Sequence, residues 1–126
     1  VLDVGSGSGW TTALLAQIAG PAGKVFGLEL VPELVKFGQE NLAKYSFSWA
    51  QIREARETVG LTDEAPFDKI LVSAAGDEIP QALIDQLKIG GRMVIPIQNS
   101  VWKVDKISEK DVAKEEFPGF VFVPLK

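Results

Sequence analysis

The string Gly5-Ser6-Gly7-Ser8-Gly9, set directly behind the apolar run Val1-Leu2-Asp3-Val4, constrains this 126-residue chain more than any other feature. A short apolar run closed by glycine reads as a buried strand that ends in a tight turn. From Gly9 to Ala19 the apolar residues Leu14, Leu15 and Ile18 recur at helical spacing, and Gly20-Pro21 stops the helix. Glycines between a strand and a helix permit positive φ and close approach of the backbone to a ligand, while the helix's first N–H groups point into the same crevice. In open α/β sheets that crevice lies outside the carboxyl ends of the strands, where strand order reverses. A nucleotide-like cofactor is the expected occupant.

Spacing narrows the choice of cofactor. A dinucleotide fingerprint places its third glycine or alanine at position 10, and Trp10 there is too bulky for close pyrophosphate packing. The third glycine falls instead at Gly9, which makes an acidic-x-Gly-x-Gly-x-Gly string from Asp3. This spacing resembles motif I of class I methyltransferases, whose loop wraps the methionine part of S-adenosylmethionine. Asp3, Gly5, Ser6, Gly7, Ser8 and Gly9 are the candidate cofactor-binding residues of the loop. Asp3 either orients the loop or meets the cofactor's amine, and Ser6 and Ser8 hydrogen-bond either loop amides or the cofactor. Glu29, at the end of the second strand with Leu30 behind it, is placed to grip both ribose hydroxyls. The alternative for Glu29 is an ordinary exposed strand-end acid.

The remaining pattern alternates. Lys24 to Leu30 reads as a strand, and Val31-Pro32 opens a helix whose Leu34, Val35 and Leu42 face one way. Tyr45 to Ile52, rich in aromatics, reads as a third strand, and Arg53 to Pro66 as loop or a short helical turn. Lys69 to Ala75 is a fourth strand. Ile79 to Leu87 is a helix stopped by Gly90-Gly91, and Arg92 to Ile97 is a fifth strand in which Pro96 suggests an edge or a bulge. Val101 to Ile107 and Phe120 to Pro124 read as two closing β segments, joined by the charged stretch Ser108 to Glu116. The fold class that follows is α/β: a doubly wound, mostly parallel Rossmann-like sheet with an antiparallel C-terminal edge, in one domain spanning residues 1–126.

Composition excludes several chemistries. The chain has no histidine and no cysteine, so a His general base, a Ser-His-Asp triad, His or thiolate metal ligands and disulfides are absent from it, and no metal site is expected. A formal net charge of -4, with scattered Lys and Arg, argues against a nucleic-acid surface. No apolar run approaches the ~20 residues that cross a bilayer. A cytoplasmic protein, monomeric and without membrane or nucleic-acid partners, is the simplest expectation. The chain opens on Val1 inside a strand, where natural domains seldom begin, and a missing N-terminal region is therefore expected.

The second half resembles a particular family. Ala65-Pro66-Phe67-Asp68-Lys69-Ile70-Leu71-Val72-Ser73-Ala74-Ala75, Ile79-Pro80, Leu83-Ile84, Gln86-Leu87, Gly90-Gly91-Arg92 and Val94-Ile95-Pro96-Ile97 resemble the protein-L-isoaspartate O-methyltransferases in order and spacing. Phe120 to Leu125 is similar to that family's closing strand, and Val1 to Ala13 to its first motif. The resemblance implies transfer of a methyl group from S-adenosylmethionine to the α-carboxyl of L-isoaspartyl residues in damaged proteins. The ester then collapses to a succinimide that can reopen to aspartate. No base is needed for a nucleophile already ionised at neutral pH, so the lack of histidine is no objection. No residue stands out as catalytic.

Two departures from the family pattern stand out. Where the family often has Gly-Asp-Gly beside the adenine, this chain has Ala55-Arg56-Glu57, leaving Glu54, Glu57 or neither for that contact. The family's hydroxyl-bearing substrate motif, which precedes motif I, is not in this sequence, and weak or absent turnover is expected. Two other readings are a non-catalytic module that binds S-adenosylmethionine or a nucleoside and, more remotely, an NAD-dependent oxidoreductase.

Overall fold

The computed structural model describes residues 1–55, 59–73 and 76–119. The strands are β1 (Leu2–Val4), β2 (Val25–Glu29), β3 (Ala50–Glu54), β4 (Phe67–Val72), β5 (Leu87–Ile97), β6 (Ser100–Lys106) and β7 (Val112–Pro118). The helices are α1 (Trp10–Ala19), α2 (Pro32–Leu42) and α3 (Gln81–Asp85), with a 3-10 turn at Thr62–Glu64. One sheet runs β3-β2-β1-β4-β5-β6-β7. Its first five strands pair in parallel, and β6 and β7 add antiparallel. This is the doubly wound sheet with an antiparallel edge that the alternation of elements predicts.

Register decides what each face buries. On one face Leu2, Phe26, Ile70, Met93 and Val104 lie side by side and pack with Leu83 and Ile84 of α3. Each such side chain removed from water stabilises the fold by about 1.5–3 kcal/mol. The opposite face carries Asp3, Gly27 and Ile52 beneath α1 and α2, where Val35, Leu42 and Ile52 form a smaller cluster. Beyond β1 that same face presents Leu71 and Val94, and among the described residues no helix packs over them. With Leu15 and Ile18 of α1 they wall an open groove of about 750 Å³.

Several boundaries differ from the sequence expectation. The face that α1 buries is Thr12 and Ala16, while Leu14 and Ile18 are exposed and Leu15 and Ile18 line the groove, so the apolar spacing does not mark the core face. In α2 the buried residues are Val35, Gly38 and Leu42, and Leu34 is exposed. The third strand starts at Ala50 rather than Tyr45. Tyr45 and Phe47 stack before it, and Trp49 donates its indole N–H to the Ala16 carbonyl at 2.8 Å, tying the loop to the end of α1. The glycines Gly90 and Gly91 lie inside β5, not behind a helix; the β4–β5 register shifts there and Gly90 has φ 85°.

Pro96 sits in an interior strand, against the edge expectation. Its carbonyl accepts from Gly76 on the side of β5 that lies beyond the end of β4, so the missing N–H removes no bond to β6. The charged stretch Ser108 to Glu116 is no connector either: most of it is β7, an exposed edge strand whose Lys114, Glu115 and Glu116 suit an edge that must not recruit another chain. Ala74, Ala75 and the closing strand placed at Phe120 to Pro124 fall outside the described residues.

Candidate functional site

The strand order reverses at β1, which lies between β2 and β4, and the glycine loop leaves the carboxyl end of β1 at that reversal. Gly5, Gly7 and Gly9 have φ of 84°, 55° and 88°, a region costly for side-chain-bearing residues. At Gly9 a Cβ would lie 2.8 Å from the Gly38 carbonyl, so loop and α2 cross in near backbone contact. At Gly7 nothing lies within 4 Å of a built Cβ, and space remains above the loop for a ligand.

The loop is held from three sides. Gly5 and Ser6 donate their amides to the Leu28 carbonyl at 2.8 and 2.9 Å, and the Gly9 amide donates to the Ser6 carbonyl at 2.9 Å. Asn41 of α2 donates its side-chain amide to the Ser8 carbonyl at 2.9 Å. Glu29 reaches in from β2: its Oε1 accepts from the Gly7 amide at 2.9 Å, and its Oε2 from the amides of Leu30 and Val31 at 2.8 and 3.0 Å. Glu29 is buried, not an exposed strand-end acid, and Oε1 keeps capacity for one further donor.

Asp3 lies underneath, with no solvent exposure. Its Oδ2 accepts from the Thr12 hydroxyl at 2.8 Å, while Oδ1 and the Ser6 hydroxyl are buried with no partner. Burial raises the Asp3 carboxyl to about 6, and the Thr12 hydrogen bond opposes that rise. Leu30 is half exposed at the mouth, and Ser8 is exposed on the loop. Trp10 opens α1 with its ring 69% exposed, so the close helix packing at this point belongs to Gly9 and the ring faces solvent.

Glu54 lies in register beside Glu29 on the same face, exposed at the sheet's carboxyl edge, whereas Glu57 lies outside the described residues. Thr12, Gly27, Gly38 and Asn41 were not among the sequence candidates, yet they build the loop's support. Gly27 in mid-strand and Gly38 in mid-helix carried a readable signal, since glycine inside a regular element marks a close backbone approach. Among the described residues no group of three or more acidic side chains is gathered for a metal. The large groove described above lies away from the loop, near the start of β4, with charged residues such as Lys24, Asp68, Lys88 and Arg92 among its lining.

A parallel sheet reversing at β1, a glycine loop at the reversal and a buried carboxylate ending the next strand define a domain of the Rossmann-like methyltransferase class. Within that class the assignment is specific: the family model for protein-L-isoaspartate(D-aspartate) O-methyltransferase matches residues 1–126, and the chain belongs to that family. It is 38% identical over 130 residues to the protein-L-isoaspartate O-methyltransferase of Methanopyrus kandleri, covering 99% of this chain and 58% of that protein. To protein-L-isoaspartate O-methyltransferase 2 of Archaeoglobus fulgidus it is 40% identical over 129 residues, covering 100% of this chain and 59% of the relative. The chain thus spans somewhat under two thirds of these relatives.

Among solved structures, a Plasmodium falciparum member of the family in complex with S-adenosyl-L-homocysteine superposes with a TM-score of 0.83 at 29% identity, covering 99% of this chain and 64% of that one. A further protein-L-isoaspartate O-methyltransferase structure gives a TM-score of 0.91 at 21% identity, over 99% of this chain and 41% of that one, which shows the fold.

Proposed function

We propose that these 126 residues are a single domain, the S-adenosylmethionine-binding part of an enzyme that methylates the α-carboxyl of L-isoaspartyl residues in damaged proteins. The observation that carries the reading is Glu29: a buried carboxylate that both fixes the glycine loop and keeps an acceptor site at the mouth. The cofactor fits what the residues offer. Gly7 leaves room for it, Gly5 and Gly9 give the loop its turns, Ser6 and Ser8 edge the loop, Glu29 and Leu30 receive the ribose, and Asp3 orients the loop from beneath. Engaging both ribose hydroxyls would displace the Gly7 amide from Oε1. Glu54, in register beside Glu29, is our candidate among the described residues for the adenine contact.

When bound, S-adenosylmethionine supplies an electrophilic methyl group on a sulfonium, which an ionised carboxylate oxygen takes by in-line displacement to give a methyl ester and S-adenosylhomocysteine. The chain contributes alignment and not proton transfer. We place the protein in the cytoplasm as a monomer, with isoaspartyl proteins as its substrates. No helix among the described residues is long and apolar enough to cross a membrane.

Calorimetry with S-adenosylhomocysteine and with NAD tests the cofactor; tighter binding of NAD overturns the reading. Glu29→Ala removes a hydrogen-bonded buried carboxylate and should weaken S-adenosylhomocysteine by ~1–3 kcal/mol. Unchanged affinity would leave Glu29 a structural clamp only. Methyl transfer to an isoaspartyl peptide, compared with its aspartyl twin, separates an enzyme from a binding module.

A further inference from the structure

Thr12 is buried completely in α1, one turn behind the glycine loop, and no contact with a ligand is open to it. Its hydroxyl donates to Asp3 Oδ2 at 2.8 Å. The two sit where β2 has Gly27: a Cβ there would come within 2.5 Å of Thr12 Oγ1 and 3.1 Å of Ser6 Cβ. Any other residue at 27 would push the hydroxyl off its carboxylate. The absence of a side chain at 27, the hydroxyl at 12 and the acid at 3 therefore form one unit against the underside of Ser6.

We propose that Thr12 is a positioning residue for the cofactor loop: its hydroxyl fixes Asp3 as an ionised carboxylate beneath the loop and so sets the pH range over which the loop accepts a cationic cofactor. This rests on the S-adenosylmethionine reading above. The physical reason is that an acid walled off from water favours its neutral form, and one donor aimed at the charged form opposes this. A negative charge under the loop attracts the ammonium and sulfonium of the methionine part.

Among the described residues Thr12 is the side chain that hydrogen-bonds Asp3, and the Ser6 hydroxyl is buried without a partner. On the same sheet face, Asp3 has Gly27 of β2 beside it, flanked by Val25 and Glu29, and Leu71 of β4, flanked by Lys69 and Ser73. The charged neighbours Glu29 and Lys69 stand two residues along their strands, about 7 Å away. Glu29 is already bonded to the amides of Gly7, Leu30 and Val31. From α1 the buried residues are Thr12 and Ala16.

The test compares the wild-type 126-residue protein with Thr12→Val, which keeps the shape, and Thr12→Ser, which keeps the hydroxyl. S-adenosylmethionine and S-adenosylhomocysteine affinities are measured from acid to neutral pH, with Asp3 titrated directly by carboxyl 13C NMR. In T12V the acid limb of the affinity profile and the NMR midpoint should both rise by about one pH unit, the equivalent of one lost hydrogen bond. The change should be larger for S-adenosylmethionine, which carries the sulfonium, and T12S should restore the wild-type profile. Coincident profiles for wild type and T12V, or a loss in T12V that is uniform across pH, overturn the proposal. Absence of binding by the wild-type protein at every pH overturns the cofactor reading itself and the functional half of the proposal with it. An unmoved NMR midpoint in T12V overturns the other half.

Discussion

Asp3 is a carboxyl group that water does not reach, and its single hydrogen bond does not fully offset what burial costs the charged form. Its folded-state value of about 6 lies above the ordinary 3.8, so the folded protein holds this proton more tightly than the unfolded chain. The stability this contributes is complete below about pH 4 and is lost as pH rises through 6, by about 3 kcal/mol. Asp3→Asn should remove that slope: urea unfolding at several pH values should show the variant gaining on wild type between pH 4 and 7. A difference independent of pH would mean that Asp3 is ionised throughout. Such a buried acid under the glycine loop is a stability cost at neutral pH, kept beneath the proposed cofactor site.

The elements around the loop meet through glycine. Gly9 and Gly20 bound the same helix, both at positive φ, yet they differ in what surrounds them. At Gly20 a Cβ meets nothing within 4 Å, but φ 73° with ψ 176° is a region nearly confined to glycine, so Gly20→Ala should cost about 1–3 kcal/mol through its backbone alone. Gly9 is left-handed at φ 88° and ψ 0°, which costs a side-chain-bearing residue about 1 kcal/mol. Gly9→Ala adds a collision with the Gly38 carbonyl that should bring the loss to roughly 2 kcal/mol or more, read from thermal unfolding. A loss of only about 1 kcal/mol in Gly9→Ala would show that loop and α2 can separate freely. Across the sheet, buried Gln86 accepts from the Leu61 amide at 2.8 Å and donates to the Val59 carbonyl at 2.9 Å, fastening the 59–61 segment to the start of β5. Gln86→Leu strands both backbone groups and should destabilise by about 3 kcal/mol in denaturant.

These elements also show what a sequence reader could see. The loop and its carboxylate were legible because conformation and chemistry both demand particular residues there: only glycine tolerates the turn, and an acid at Glu29 is useful at a strand end. β2 was legible as an apolar run because both its faces are buried, and β4 and β5 were legible from the apolar residues of their one packed face. β7 was not, since an exposed edge strand is polar on both sides and looks like a loop. The start of β3 was misplaced because Tyr45, Phe47 and Trp49 have strand-like composition but pack on one another ahead of it. The support residues Thr12 and Asn41 left no signal at all, since their partners Asp3 and Ser8 become neighbours only once the chain has folded.

At the scale of the whole molecule, the sheet is asymmetric. One face is packed by α3 and the segment before β4, while the other is covered over β1 to β3 and open over β4 and β5. Ile18, 81% exposed, is the most prominent apolar residue on the rim of the open part. A contiguous apolar surface of this kind should bind a fluorescent apolar dye in the native state at neutral pH. Ile18→Lys should cut that emission by at least half without changing the melting temperature. Undiminished emission in the variant would place the dye elsewhere.

The groove and the glycine loop lie at opposite ends of α1, about 12 Å apart along its axis. Because α1 is a rigid body between them, the two surfaces can be read in one sample as separate channels. Cofactor titration should leave the dye signal flat, and Ile18→Lys should leave cofactor affinity untouched. Any cross-talk between the channels would then measure how far the helix itself transmits an event at the loop.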